Sequence, residues 1–201
     1  MRLIPNSLLY QIQKLFVLDK NHTVFENLEV IRNKIMSSST NLIFYKNAFS
    51  KTKFMTKIME LFEIPIVYVD FDLLLSGYFE SDSNSKPSNM KIIRPNTENL
   101  KNLLSDVLTQ ISSQRTVLIL DSLNGLYSFL DDENPGRFVN GLIMLLHSNA
   151  KFSQSILFIT CLAQKKDDNW VLPTGRHILE SENINRFEIN ENNTKIKIKI
   201  A

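Results

Sequence analysis

Three stretches of this chain are continuously apolar and then end on polar or acidic residues. They are residues 64–72 (IPIVYVDFD), 116–122 (TVLILDS) and 154–161 (QSILFITC). A strand with one wet face alternates apolar and polar residues. An unbroken aliphatic run is a strand buried on both faces, as happens in a parallel sheet covered by helices on either side. Helical periodicity falls between these runs. Leu100, Leu103, Leu104, Val107 and Ile111 share one face of residues 97–111, and further helical stretches fall at 52–62 and 137–149. Strands alternating with helices call for an α/β domain of three layers, with a mainly parallel sheet between two helical layers.

A fourth apolar run, 42–45 (LIFY), carries the chemistry of greatest interest. The spacing predicts a loop of about five residues after it, 46–50, and then a helix opened by Lys51-Thr52. Strand, short loop, Lys-Thr and helix is the layout of a phosphate-binding loop, G-x-x-x-x-G-K-[ST]. Lys51 and Thr52 fit that pattern, but Tyr45 and Ser50 stand where it has glycine. Glycine permits positive φ and close backbone approach to a phosphate. Any other residue in the left-handed region costs roughly 1–2 kcal/mol. Ligands of such sheets sit beyond the carboxyl ends of the strands. Lys51 and Thr52, Asp72, Asp121 and Thr160 all fall there. The runs 40–45 and 116–120 are expected to lie side by side.

The remainder is punctuation and packing. Residues 6–18 and 23–36 read as amphipathic helices, the second capped by Asn21 or Thr23 with Glu26; together 1–37 form helices packing on the core of 38–201. Residues 81–89 and 131–136 read as surface loops, 90–93 as a short strand and 163–176 as a polar irregular segment. The tail reads as a β-hairpin, 186–190 and 194–200, with the turn at 191–193. A length of 201 residues suits one domain, and a net charge of +2 gives no strong field for nucleic acid or acidic membrane. No run reaches the ~18 apolar residues of a spanning helix. The single cysteine, Cys161, excludes an internal disulfide and suits the cytoplasm. The three histidines, His22, His147 and His177, have no ligand spacing.

Lys51-Thr52 after the first strand, two strands before the one ending in Asp121-Ser122, then a fifth strand and a hairpin: this pattern resembles the RecA/KaiC-like superfamily of P-loop ATPases, over about residues 38–200. The resemblance implies a RecA-like domain that uses ATP and Mg²⁺. It implies that Ser50, Lys51, Thr52 and Asp121 bind nucleotide, with Lys51 neutralising the β- and γ-phosphates and Thr52 and Asp121 holding Mg²⁺. Asp72 falls where the family has the glutamate that activates water, with Asp70 the alternative, and Thr160 where it has a polar sensor. Segment 163–176, with Lys165, Lys166 and Trp170, takes the place of a loop that contacts DNA in recombinases. The eroded glycines and the short acid point to a degenerate member. Such a protein binds nucleotide weakly or not at all and acts as a regulatory or assembly partner in homo- or hetero-oligomers of RecA-like subunits, as the small RecA-like subunits of the Elongator complex do. The alternative is a slow ATPase, an accessory recombinase paralogue in DNA repair, with residual turnover carried by Lys51 and Asp72.

Overall fold

A computed structural model describes residues 28–81, 86–130, 135–166, 169–172, 183–192 and 195–200. The expected helix 6–18, its neighbour's cap at 21–26 and residues 193–194 of the hairpin lie outside the described residues. In chain order the elements are α1 (Leu28–Met36), β1 (Thr40–Tyr45), α2 (Ala48–Met59), β2 (Ile66–Asp70), α3 (Leu74–Ser81), β3 (Met90–Ile93), α4 (Leu100–Ser113) and β4 (Val117–Asp121). Then come α5 (Leu123–Ser128), α6 (Pro135–Phe152), β5 (Ile156–Leu162), β6 (Gln164–Lys166), β7 (Asn169–Val171), β8 (Ile184–Asn192) and β9 (Lys195–Ile200).

One seven-stranded sheet, in the order β3-β2-β4-β5-β1-β8-β9, divides the domain. Every pairing in it is parallel except that of β9 with β8, which closes the C-terminal hairpin. The period of two along each strand sorts its side chains between two cores. Leu42, Phe44, Val69, Leu118, Leu120 and Ile159 face the layer of α4, α5 and α6. Ile43, Tyr45, Tyr68, Ile119 and Phe158 face the layer of α1 and α2. Both sets are buried, which is why the runs read as unbroken apolar sequence. Each such side chain contributes about 1.5–3 kcal/mol by leaving water.

The expected adjacency of β1 and β4 is not found. β5 lies between them, pairing in parallel with each. Aliphatic content reports that a strand is central and carries no information on its neighbour. A helix nevertheless links the ends of the two strands. The connection from β1 to β2 crosses over β5 and β4, so α2 rides above both and carries Lys51 to Asp121. The segment after β5 also differs from expectation: Gln164–Lys166 and Asn169–Val171 pair as a small antiparallel hairpin.

Candidate nucleotide site at the carboxyl ends of the strands

The loop between β1 and α2 is two residues long, Lys46 and Asn47, where five were expected. Asn47 explains the difference. Its backbone is extended, at φ −119° and ψ 120°, and its side chain accepts hydrogen bonds from the N–H groups of Phe49, at 2.8 Å, and Ser50, at 3.4 Å. Asparagine is among the best residues for this capping role. With no glycine to hold the chain open, residues 48–50 wind into the first turn of the helix. The N–H groups that an open phosphate loop would present to an anion are therefore spent on the chain itself. Lys51 N–H donates to the Asn47 carbonyl. The Thr52 hydroxyl donates to the Ala48 carbonyl at 2.9 Å.

Beneath that turn lies a buried polar cluster. Tyr68, Asp121 and Thr160 come from β2, β4 and β5 and point to the same face as Tyr45. Lys51 descends onto them from α2, and its ammonium lies 2.6 Å from both carboxylate oxygens of Asp121, with both side chains 0% exposed. The Tyr68 and Thr160 hydroxyls donate to the same carboxylate. Asp121 thus has an ammonium and two hydroxyl donors, a full set for a buried charge. The Lys51 ammonium also lies 5.3 Å from the centre of the Tyr45 ring. Tyr45, at the first glycine position, fills the space under the helix start and is 2% exposed.

Ser122 links this cluster to a second acid. It caps α5 by accepting from Gly125 N–H at 3.1 Å, and it is hydrogen-bonded to the Tyr45 hydroxyl and to Asp72. The Ser122 hydroxyl accepts from Gly125 N–H and favours the charged forms of both Asp72 and Tyr45. The peptide bond between Asp121 and Ser122 is cis. Burial, and then the charge of Asp121, push the phenols of Tyr45 and Tyr68 above their usual range, so both remain donors. Burial raises the Asp72 carboxyl, and the bond from Ser122 opposes the rise. Asp70, level with Asp121 in the sheet, is pushed up to about 6 by burial first and the Asp121 charge second. One of its oxygens accepts from Ser76 N–H at 2.7 Å; the other has no partner among the described residues.

Of the residues singled out in the sequence, Lys51, Asp121 and Thr160 are in direct contact and Asp72 joins them through Ser122. Ser50 is buried in the first turn of α2. Thr52 is turned to its own helix. Sequence reasoning missed Tyr68 and Asn47. Tyr68 had a signal: it stands two residues before Asp70, hence on the same face of a central strand. The Trp170 indole stacks on Phe44 at 5.5 Å and donates to Glu188 at 2.7 Å, while the Lys46 ammonium lies 5.7 Å from its ring centre. Trp170 therefore serves the packing of the small hairpin against β1 and β8.

The site as arranged does not fit Mg²⁺. Both oxygens of Asp121 are held by Lys51, Tyr68 and Thr160, and the Thr52 hydroxyl is committed to a helix carbonyl.

A parallel sheet in this order, with a Lys-Thr helix start after β1 and an acid ending β4, is a RecA-like fold. Solved RecA-fold P-loop ATPases superimpose on it. The RadB recombinase does so with a TM-score of 0.54 at 11% identity, over 85% of this chain and 84% of that one. A solved ATPase domain gives 0.52 at 9% identity, over 95% of this chain and 84% of its own. A DnaB-like replicative helicase, solved for its interactions with primase, gives 0.52 at 11% identity over 96% of this chain, which spans only 57% of the helicase chain. No protein-family model and no curated protein matches the sequence. Among the described residues no helix is long and apolar enough to cross a membrane.

Proposed function

We propose that this chain is a RecA-fold protein with a closed phosphate site, which binds nucleotide weakly or not at all and works by assembling with RecA-like subunits in the cytoplasm. One observation carries the reading: the groups that would meet the phosphates and their metal already meet one another. Asn47 holds the helix N–H groups, and Lys51 is buried on Asp121. An incoming triphosphate must break that buried pair and unwind a turn of α2 before it gains a contact. Tyr45 and Ser50, in place of glycine, favour the wound state.

Titration of the chain with ATP and Mg²⁺, followed by amide chemical shifts, tests this. The expected result is no saturable change in the amide shifts of residues 46–52 at millimolar nucleotide, and saturable binding there once Tyr45→Gly and Ser50→Gly are combined. Micromolar binding at 46–52 by the parent, or a folded double variant that binds no better there, overturns the closed-site reading. For assembly, sedimentation velocity of mixtures with the RecA-like ATPases of the same genome should show a shared boundary. A chain that sediments alone in every mixture overturns that half of the proposal.

A slow ATPase is the second reading, favoured by the contact of Lys51 with Asp121 at the carboxyl ends of the strands. It expects a rate well below ~1 s⁻¹, abolished by Lys51→Ala, unaffected by Lys46→Ala and raised by Asp72→Glu, whose longer side chain extends the carboxylate. Turnover indifferent to Lys51→Ala in protein free of contaminating ATPase removes it.

A further inference from the structure

The opposite pole of the sheet, at the amino ends of the strands, carries a cleft of about 510 Å³ that the nucleotide reading does not use. It opens between the end of α1 and the last turns of α6, below the starts of β1, β4 and β5. Its basic residues are Lys34, Arg115, His147 and Lys151, with no Asp or Glu among the described lining residues. Lys34, Arg115 and Lys151 form no ion pair with any described residue.

Several features hold these groups in place. His147 and Lys151 stand one helical turn apart on α6, on the same side. Partial burial, and then the charge of Lys151, lower the imidazole's affinity for a proton. Its Nδ1 is 2.9 Å from the Thr40 hydroxyl, which fixes the ring. Lys34 is anchored by its backbone: Asn185 Nδ2 donates to the Lys34 carbonyl at 2.6 Å and to Asn41 Oδ1 at 3.1 Å. Asn41 Nδ2, buried behind that wall, has no acceptor among the described residues. Three cations that have no ion pair among the described residues thus line one concavity. An anion with several negative oxygens can take charge-assisted hydrogen bonds from all three. The volume suits a small molecule, and the net charge of +2 over the chain gives no wider field for a polymer.

We propose that this cleft is a second anion site, which binds a small molecule bearing several phosphate oxygens. The site is independent of the phosphate loop, since it lies beyond the other end of the strands and shares no residue with it.

The test is a titration of the full chain with inorganic tripolyphosphate and, separately, with ATP, both without Mg²⁺, by calorimetry and by amide chemical shifts. The expected result is saturable binding with shifts concentrated at residues 34–39, 115 and 147–156. Arg115→Ala with Lys151→Ala, both exposed positions that leave the core intact, should weaken it at least tenfold. Lys57→Ala, which removes a cation on α2, should leave it unchanged. Equal affinities identify the phosphate group alone as the determinant; a tighter ATP shows that the nucleoside contributes as well. Absence of saturable binding, shifts centred on 46–52, a double variant that binds like the parent, or displacement of both ligands by a short DNA duplex at lower concentration overturns the proposal.

Discussion

At the scale of single residues, Asp121 is the group on which the site turns, because three other side chains are satisfied through it. Removing one member leaves a buried charge without its partner, the expensive case for an ion pair. Lys51→Ala should therefore cost about 3–5 kcal/mol in denaturant unfolding. Lys51→Met combined with Asp121→Leu should cost less than Lys51→Ala alone, since no charge then remains to be compensated. Asp70 makes the pH dependence distinctive. Its folded value of about 6 lies above the ordinary 3.8, so between those values the folded chain keeps a proton that the unfolded chain has released. Stability from this group is complete below about pH 4 and falls as pH rises through 6, by about 3 kcal/mol in all. Asp70→Asn should remove that slope and leave the protein more stable at pH 7, as unfolding at pH 4.5 and 7 will show. Lys51, Asp121 and Thr160 were legible as a group because strand ends and motif spacing fix where they stand. That Lys51 would turn onto Asp121, with Tyr68 and Thr160 completing the shell, was not legible. Side-chain partners follow from which strands face each other.

At the scale of elements, α2 and α5 set the geometry of the site by their first residues. The start of α2 was misread because the Lys-Thr pair was given more weight than Asn47, whose capping chemistry governs where the winding begins. α5 begins directly after Asp121, with Ser122 as its cap, and packs so closely on the end of β2 that only glycine fits at position 125. A Cβ there would stand 2.4 Å from Asp72 Oδ1 and 2.7 Å from Phe71 Cβ. Gly125→Ala should destabilise the fold by about 1–3 kcal/mol and displace Asp72 from Ser122. A lowered melting temperature with altered amide shifts at 71–73 and 122 would show both effects. α5 was not legible in the sequence, where LNGLYS is too short to establish a period. α4 and α6, at 14 and 18 residues, were legible from the spacing of their apolar residues.

At the scale of the whole molecule, the parallel sheet between two helical layers and the closing hairpin were legible from burial pattern alone. The order of strands was not, because a doubly buried strand looks the same beside any neighbour. That order has a kinetic consequence. Lys51, Tyr68 and Thr160 reach Asp121 across 70, 53 and 39 residues of chain. Tyr68 and Thr160 come from the two strands that flank β4, and Lys51 from the helix after β1, beyond β5, which is made after β1, β2 and β4. Until β5 has entered between β1 and β4, the Asp121 carboxylate has no complete shell, and closing the apolar layers over it is unfavourable. The cluster thus acts as a proofreading step, admitting collapse only in the correct strand order. Contacts of such long range form late and slow the search. Tyr68→Phe should therefore accelerate unfolding and leave the refolding limb of the chevron nearly unchanged. A refolding rate that falls in step with stability would place the cluster in the nucleus instead. In the predicted case the charged residues that resemble catalytic machinery serve as the latch that makes assembly of the central sheet a single, ordered event.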